Sequence, residues 1–326
     1  MSIDKVLITG SCGLVGSESV RYFSDLGCNV VGIDNNLRKE WFGDKGDTSE
    51  IKNQLRKLDN YKHISLDITD EHNIREILKE YKPDLIIHAA AQPSHEKSSE
   101  IPFSDFKVNA FGTINMLEAA RLHCSNAIFV FVSTNKVYGE LCGVTADVEE
   151  YFSIDQTLHT PFGASKASAD LMVQEYGRYY GMNTVCFRCG CITGRSHRGV
   201  EQHGFLAYLC KCAKEEREYV IYGWEGKQIR DNIHAYDLVC AFHEFAKNPK
   251  TGAVYNIGGG WENSLSLNRA IEIIKEMKGL EVKTSNGPQR RGDHGTYITC
   301  NDKFKGDYPD WQITRDTGSI FEELLA

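Results

Sequence analysis

Short apolar runs alternate with longer amphipathic segments along most of the chain. Runs with the length and continuity of buried parallel strands lie at residues 6–8, 28–33, 63–66, 84–92, 128–133 and 183–188. Segments whose apolar positions recur with a helical period lie at residues 17–26, 49–58, 71–81, 105–123 and 164–181. This regular alternation predicts an α/β fold with a Rossmann-type, doubly wound parallel sheet.

The pattern changes near residue 195, where a polar loop leads into a predicted helix at residues 205–216. We therefore predict two parts joined at the functional site. The first is a Rossmann domain over residues 1–194, to which residues 231–257 return. The second is a smaller C-terminal lobe that covers the substrate and is built from residues 195–230 and 258–326.

The first predicted strand runs into three glycines spaced three apart, Gly10, Gly13 and Gly16. A turn without side chains lets backbone N–H groups and the positive end of the following helix approach a diphosphate. Asp34 ends the second strand 18 residues after Gly16, near the distance at which an acidic residue meets an adenosine ribose hydroxyl. These features predict a dinucleotide cofactor bound by the Rossmann domain. Asp34 favours NAD, whereas Arg38 in the following loop would tolerate the 2′-phosphate of NADP.

The amino-acid composition of the chain limits the kinds of molecule that it is expected to bind and the compartment in which we expect it. The net charge of −8 argues against nucleic acid or an anionic membrane surface. No stretch approaches the roughly 18 apolar residues of a membrane span, and the first strand leaves no room for a signal peptide, so we expect a cytoplasmic protein. The 11 cysteines suggest a reducing compartment. Because Cys186, Cys189 and Cys191 lack paired C-x-x-C spacing, we predict no metal site.

Three motifs together resemble the extended short-chain dehydrogenase/reductase family. They are the glycine turn, the segment Ser133-Thr-Asn-Lys-Val-Tyr-Gly139, and the pattern formed by Gly226, Arg230, Asp231, His234 and Asp237. The resemblance spans nearly the whole chain and is to the nucleotide-sugar epimerases of that family. The segment that begins at Ser133 is most similar to the CDP-paratose 2-epimerase (CDP-tyvelose 2-epimerase) branch.

The resemblance implies NAD-dependent epimerisation of a nucleotide-activated sugar. Within that class it favours C2 of a CDP-deoxysugar, through a transient 2-keto intermediate. It also implies a homodimer that pairs through the helices at residues 105–123 and 164–181. His234 and Asp237 are expected to orient the chain rather than to contact a ligand.

The resemblance also implies site residues. Those expected at the cofactor are Gly10, Gly13, Leu14, Val15, Gly16, Asp34, Asn35, Asn36, Arg38, Asp67, Ile68, Ala89, Ala90, Ala91, Gln92, Asn109, Ser133, Lys166 and Cys189. Those expected at the substrate are Ser94, His95, Thr134, Asn135, Lys136, His203, Arg230, Arg290 and Asp293. The planar fork of arginine suits the diphosphate of an activated sugar, which is the expected role of Arg230 and Arg290.

One position departs from the family's catalytic Tyr-x-x-x-Lys pair, because this chain has Phe162-Gly-Ala-Ser-Lys166. A spacing of four places the ring and the ammonium on one helical face, where the lysine lowers the pKa of the phenol. Phenylalanine keeps the ring and removes the proton-transfer group, a loss that typically lowers the rate by about 10²- to 10⁴-fold. Three interpretations are open: a variant inactivated to trap a ligand, a natural enzyme with another base, and a protein that binds without catalysis.

The catalytic residues predicted at this stage are Thr134 and Lys166, with Lys136 as a substitute for the missing tyrosine. His95, His159 and Cys189 are further candidates for the proton transfer. Alternative reactions are 4-epimerisation, dehydration and reduction of a nucleotide sugar. Dehydration is disfavoured because Asn135 and Lys136 occupy the positions of its usual Asp-Glu pair. An alternative from another class is a catalytically disabled protein that senses NAD or a nucleotide sugar.

Overall fold

The computed structural model describes residues 3–141 and 147–326. Its strands are β1 (Lys5–Thr9), β2 (Asn29–Ile33), β3 (Tyr61–Ile64), β4 (Leu85–His88), β5 (Ile128–Thr134), β6 (Thr184–Cys189), β7 (Cys191–Thr193), β8 (Tyr219–Tyr222), β9 (Ile229–His234), β10 (Ala253–Ile257), β11 (Ser264–Ser266), β12 (Thr284–Gly287) and β13 (Thr296–Tyr297). Its α-helices are α1 (Leu14–Asp25), α2 (Leu37–Phe42), α3 (Ser49–Leu55), α4 (Glu71–Tyr81), α5 (His95–Glu100), α6 (Pro102–Phe106), α7 (Gly112–His123), α8 (Pro161–Tyr180), α9 (Phe205–Lys214), α10 (Ala235–Lys247), α11 (Leu267–Lys278), α12 (Asp302–Asp307) and α13 (Thr317–Leu325).

The main sheet confirms the predicted fold class. Within the described residues it has seven strands in the order β3-β2-β1-β4-β5-β6-β10, and every neighbouring pair is parallel. The chain leaves β1 toward β2 on one side and later returns to β4 on the other side. Open sheets of this kind bind ligands in the crevice outside the carboxyl ends of the strands, where the strand order reverses. The candidate site is therefore expected beyond the ends of β1 and β4.

Helices cover both faces of the main sheet, which explains why its strands are apolar without alternation. In β1, Val6 and Ile8 point into one hydrophobic cluster, which also contains Phe23 of α1 and Phe242 of α10. Leu7, between them, points to the opposite face and joins a second cluster with residues of α4 and α7. Both faces of the strand are thus buried, and the register of the sheet is fixed by packing on two sides.

A third cluster forms the core of the C-terminal part, with residues from α9, β8, α11 and α13. Two smaller sheets lie there, β12-β8 and β11-β9-β13, and β7 also pairs with β9. The predicted division into domains stays a prediction, and the segment 258–326 is interleaved with the first part. Phe304, Tyr308 and Trp311 of that segment belong to the cluster on the main sheet.

Several predicted helices have other bounds in the structure, and two of the differences affect the surroundings of the site. The helix predicted over residues 105–123 is divided, because a π-helical turn at Lys107–Phe111 separates α6 from α7. Such turns are frequent at functional sites. The helix predicted from residue 164 begins earlier, at Pro161, where Thr160 accepts a hydrogen bond from the Gly163 N–H and proline occupies the first turn. None of the described helices has the length and apolar character that crossing a bilayer requires.

Candidate active site

A cavity of about 420 Å³ opens at the carboxyl ends of the central strands and extends beneath the C-terminal part. It brings most of the predicted site residues together. The predicted residues that line it are Gly10, Gly13, Leu14, Val15, Gly16, Asp34, Asn35, Arg38, Asp67, Ile68, Ala89, Ala90, Ala91, His95, Ser133, Thr134, Asn135, Lys136, Phe162, Lys166, Cys189, His203, Arg230, Arg290 and Asp293. Their individual roles remain predictions.

Four predicted contact residues, Asn36, Gln92, Ser94 and Asn109, are outside this lining and serve the scaffold instead. The Gln92 amide donates to the Ser94 carbonyl at 2.7 Å and to the Asp105 carboxylate at 2.8 Å. Asn109, on the π-helical turn, accepts from the Gln92 N–H at 2.8 Å. The Ser94 hydroxyl accepts from the N–H of the third residue of α5, and the Asn36 side chain binds within its own loop. Their polar atoms fix the loops that carry the cavity wall.

The glycine turn has the geometry of a diphosphate cradle. Gly10 has φ +65°, and a Cβ there would lie 2.8 Å from the Ala90 nitrogen. A Cβ on Gly16 would lie 2.0 Å from the Gly10 carbonyl oxygen. Gly13 is the N-cap of α1, and no side chain caps the N–H groups of the first turn. An uncapped helix N-terminus at the cavity wall fits an anionic group.

Asp34 is held by the backbone at the end of β2. Its two oxygens accept N–H groups from Cys12 at 3.0 Å and from Asn36 at 2.8 Å. Burial raises the pKa of Asp34, and these N–H groups oppose the shift. The remaining lone pairs can accept a ribose hydroxyl.

Arg38 is committed to neighbouring protein groups. Its guanidinium donates to the Arg198 carbonyl at 2.9 Å and lies 5.1 Å from the centre of the Phe42 ring. Burial lowers the pKa of Arg38 to about 10, and the nearby Asp34 carboxylate opposes that shift. Asp34 at the cavity and a partnered Arg38 suit an unphosphorylated ribose.

Phe162 and Lys166 lie on the first turns of α8 and both line the cavity. The Phe162 N–H donates to the Ser98 hydroxyl at 3.1 Å, which ties this turn to α5. The Lys166 ammonium donates to the Val132 carbonyl at 2.8 Å and lies 4.0 Å from the centre of the Phe131 ring. Burial lowers the pKa of Lys166 to about 8, which gives an amine that titrates near neutral pH.

Thr134 is the last residue of β5, and a 3₁₀ turn over Asn135–Tyr138 follows it. Its hydroxyl accepts from the Lys136 N–H at 3.3 Å and lies at the cavity. The preceding residue, Ser133, donates its hydroxyl to the Asp170 carboxylate at 2.6 Å. Ser133 therefore anchors the strand to α8, whereas the Thr134 hydroxyl lies at the cavity and makes only long contacts, donating to the Asn135 side-chain oxygen at 3.4 Å.

A charged cluster closes the other end of the cavity. The Asp293 carboxylate accepts from Arg230 at 2.8 Å and lies 3.5 Å from the Lys136 ammonium, which also donates to the Gly292 carbonyl at 3.0 Å. Arg230 and Lys136 hold the pKa of Asp293 well below its usual range, although burial opposes them. Arg290 stacks 3.9 Å from the centre of the Tyr222 ring and pairs with Glu96. Cations exceed carboxylates at the cavity wall here, which suits a diphosphate.

The other candidates for proton transfer differ in their surroundings. The two ring nitrogens of His159 lie 2.8 Å from the Thr157 carbonyl and 2.7 Å from the Val137 carbonyl, and neither is free for a ligand. Burial raises the pKa of the Cys189 thiol, which donates to the Phe187 carbonyl. Burial, reinforced by Lys136, lowers the pKa of His95 to about 3.

His234 and Asp237 act in the scaffold. The Nδ1 atom of His234 accepts from the Tyr236 N–H at 3.0 Å and caps α10. The Asp237 carboxylate accepts from the Thr314 hydroxyl at 2.6 Å and the Arg315 N–H at 2.9 Å. In the part of the chain that the structure describes, no group of three or more His, Cys, Asp and Glu side chains is placed to hold a metal ion.

Several cavity residues were missed by the sequence analysis. They include Trp41, Thr48, Ser196, His197, Arg198, Gln202, Tyr219, Tyr222 and Gln228. The polar loop after residue 195 was recognised, but among its residues only His203 was assigned to a ligand. The other residues of this loop reach the cavity because of contacts between segments that are far apart in the sequence. The spacing of residues within the loop does not indicate such contacts.

Comparisons with protein families, characterised proteins and solved structures each found proteins that are similar to this chain. The profile of the NAD dependent epimerase/dehydratase family matches residues 6–258. CDP-paratose 2-epimerase of Salmonella typhi is 31% identical over 313 residues, covering 90% of this chain and 90% of that protein. dTDP-glucose 4,6-dehydratase of Salmonella typhimurium is 32% identical over 271 residues, covering 78% of this chain and 72% of that protein. The structure of Thermotoga maritima UDP-glucose 4-epimerase with UDP-glucose superposes with a TM-score of 0.84 at 25% identity, covering 98% and 97% of the two chains.

Proposed function

The chain belongs to the NAD dependent epimerase/dehydratase family, and we propose that it epimerises C2 of a CDP-activated deoxysugar. One observation carries the proposal: the glycine turn, Thr134, Lys166 and Arg230 all line a single cavity. A dinucleotide and an activated sugar can therefore meet within it. The choice of a CDP-sugar and of C2 is supported by the similarity to CDP-paratose 2-epimerase, which extends over 90% of both chains.

NAD is the cofactor of this family, and the residues of the first part suit it. The uncapped first turn of α1 would bind the diphosphate, and the Asp34 carboxylate would bind the adenosine ribose. Lys166 would contact the nicotinamide ribose. When bound, NAD would supply reversible hydride transfer, so that C2 of the sugar could lose its hydride and regain it on the opposite face.

In this proposal Lys166 replaces the phenol that Phe162 lacks. A base must be uncharged to accept the proton of the C2 hydroxyl, and burial lowers the pKa of Lys166 to about 8. Lys136 is less suited, because its ammonium is paired with Asp293 and the Gly292 carbonyl. The Thr134 hydroxyl orients the sugar hydroxyl, and the Lys166 amine takes the proton as the 2-keto sugar forms. The same ammonium returns the proton to the oxygen when C2 is reduced.

The cluster of Lys136, Arg230 and Asp293, with Arg290 beside it, would bind the sugar end and the diphosphate of the substrate. Arg230 is fixed by Asp293 at 2.8 Å and by three backbone carbonyls, so its role would be to attract the diphosphate through its charge rather than through free donors. Asn135 and Lys136 supply no carboxylic acid beside Thr134, which disfavours the alternative of a dehydratase. A protein that binds without catalysis is the second candidate, and Phe162 is the observation that favours it.

We further propose that the active form is a homodimer. Large apolar side chains project to solvent from α6, the π-helical turn, α7 and α8: Phe103, Phe106, Phe111, Leu122, Leu171, Tyr179 and Tyr180. Phe103 is 92% exposed and Tyr179 is 79% exposed. Exposed apolar side chains on these neighbouring helices favour burial against a second copy. Sedimentation velocity should give twice the mass of the 36.7 kDa chain.

The decisive experiment offers CDP-paratose, CDP-tyvelose, UDP-glucose and dTDP-glucose to the purified protein. Interconversion of the two CDP-sugars, followed by chromatography and NMR, is the expected result. If none of the sugars is converted and no reduced nicotinamide forms, the proposal that this chain is an active epimerase fails.

The matched variant is Phe162→Tyr, because the substitution adds one hydroxyl to a buried ring at the cavity. Comparable activity in both forms supports Lys166 as the base. Activity that arises only in the tyrosine form identifies the native chain as a catalytically disabled binding protein.

A further inference from the structure

The segment 195–204, here called the strap, crosses the cavity and is bound at several points to the first part of the chain. The Arg21 guanidinium on α1 donates to the Ser196 hydroxyl at 3.0 Å. Arg38 donates to the Arg198 carbonyl at 2.9 Å, and the Arg198 guanidinium pairs with a carboxylate of α3. The strap is thus fixed to α1 and to the loop after β2, between which a dinucleotide would lie.

The far end of the strap is bound on the substrate side. The Ser94 hydroxyl donates to the Gln202 carbonyl at 3.0 Å, and Arg290 donates to the Glu201 carbonyl at 3.2 Å. The Tyr222 hydroxyl donates to the Glu201 carboxylate at 2.6 Å. The strap therefore spans the cavity from the cofactor end to the charged cluster, and it must move or open for a dinucleotide to leave.

Two imidazoles on the strap line the cavity without protein partners. The rings of His197 and His203 meet edge to face, with centroids 5.4 Å apart. Both nitrogens of His197 and Nδ1 of His203 are shielded from solvent, and none has a hydrogen-bond partner among the described residues. Buried polar atoms in native proteins nearly always have partners, so these atoms indicate a ligand.

The local backbone accommodates this pair. Gly204 has φ +85°, and a Cβ there would lie 2.3 Å from Nε2 of His197. A side chain at this position would push the His197 ring out of place. Burial, reinforced by Arg38, lowers the pKa of His197 to about 3, and the pKa of His203 is lowered for the same reasons. A neutral imidazole has one N–H to donate.

We propose that His197 and His203 donate hydrogen bonds to the diphosphate of NAD from the side opposite the glycine turn. The strap then locks the cofactor in place between turnovers. His197 lies between Ser196, bound to Arg21 of α1, and Arg198, bound to Arg38, and its ring lines the same cavity as the uncapped first turn of α1. The diphosphate would then accept hydrogen bonds from the backbone N–H groups of α1 on one side and from the two imidazoles on the other. The inference rests on the proposed function only in taking NAD as the occupant.

The test measures exchange of bound NAD rather than activity. The protein is loaded with radiolabelled NAD and diluted into unlabelled NAD, and the loss of label gives the dissociation rate. The variants are His197→Phe, His203→Phe and the double variant, which keep an aromatic ring and remove the donors. His72→Phe, on the exposed surface of α4, is the matched control. We expect exchange at least about tenfold faster for each cavity variant, as for loss of a hydrogen bond to a charged group.

Unchanged exchange in the double variant would overturn the proposal. Unchanged exchange with a raised KM for the CDP-sugar would also overturn it, because the pair would then belong to the substrate. If the double variant does not fold, the single variant His203→Gln, which keeps one donor, is compared with His203→Phe. Equal exchange in those two would reject the proposal. A native protein that binds no NAD at all would instead refute the proposed function, so the two failures are distinguishable.

Discussion

The two ends of the cavity are built from different parts of the polypeptide. At the cofactor end the backbone sets much of the arrangement: the first turn of α1 is uncapped, and Asp34 is held by two backbone N–H groups. At the substrate end the arrangement depends on side chains of distant segments. The Asp293 carboxylate lies 2.8 Å from the Arg230 guanidinium and 3.5 Å from the Lys136 ammonium. A backbone site survives most substitutions except those of its glycines. A side-chain site depends on each of its charged members.

If the chemistry depends on single side chains, Lys166→Met should give the largest effect. The substitution removes the proposed base and a contact to the nicotinamide ribose while keeping a similar side-chain length. We expect kcat to fall by about 10²- to 10⁴-fold. The fall in kcat is measured by following turnover of the CDP-sugar in a stopped-flow instrument. Lys136→Met is the comparison, and its effect should lie mainly in KM, because Lys136 is paired with Asp293. An equal loss of kcat in both variants would contradict the assignment of the base.

If the first turn of α1 is a main contact of the diphosphate, Gly13→Ala should weaken NAD binding without unfolding the protein. The added Cβ has one neighbour within 4 Å, the Gly10 carbonyl oxygen at 3.2 Å, and otherwise meets open space at the cavity. The methyl group would keep the diphosphate from the N–H groups of α1, which should weaken affinity by about 10- to 100-fold. Calorimetry measures the affinity, and Gly306→Ala, with nothing within 4 Å, is the control. Undiminished affinity in Gly13→Ala would place the diphosphate elsewhere.

Asp293→Asn tests the charged cluster. Removing the carboxylate leaves Arg230 and Lys136 facing each other without compensation, which should lower the free energy of unfolding at pH 7 by about 3 kcal/mol. The pKa of Asp293 is depressed in the folded state, so its stabilisation is present above the unfolded pKa of about 3.9 and is lost as pH falls. Urea unfolding should therefore separate the two proteins at pH 7 and bring them together in acid. A constant difference at all pH values would show that the charge of Asp293 is not involved.

The smallest expected effect is a pH dependence of the native protein. With a pKa of about 8 for Lys166, the uncharged fraction rises about tenfold between pH 7 and pH 9. We expect kcat to rise by about that factor and then to level off, while NAD stays bound. Steady-state assays across this range measure it. A kcat that is flat or falls over the same range would exclude a lysine base.

The sequence predicted the fold class and NAD as the cofactor because both depend on local pattern. Apolar runs and the three glycines identify the strands and the turn, and Asp34 follows at a fixed distance. The family resemblance is confirmed by the profile that matches residues 6–258. The strap could not be predicted in the same way. His197 reaches the cavity wall because its neighbours Ser196 and Arg198 are bound by Arg21 and Arg38, which are far away in the sequence.

The residues that sequence reasoning placed at the cofactor without support from the cavity lining share a property. Gln92 and Asn109 are amides buried at the ends of a strand and within a π-helical turn, and they bind each other and Asp105. A polar side chain at a strand end has the same sequence signal whether it meets a ligand or fixes a loop. The distinction depends on where its hydrogen bonds go, which only the folded chain reveals.

The position of Trp311 has a consequence for how the molecule is made. Its indole donates to the Asp237 carbonyl at 2.9 Å, and Phe304 beside it contacts Phe187 of β6, with ring centroids 5.5 Å apart. A nascent chain emerging from the ribosome thus cannot complete the core around β6 until Trp311 has been synthesised. Until then the Rossmann half would stay partly open, and chaperone binding and aggregation would compete with its closure.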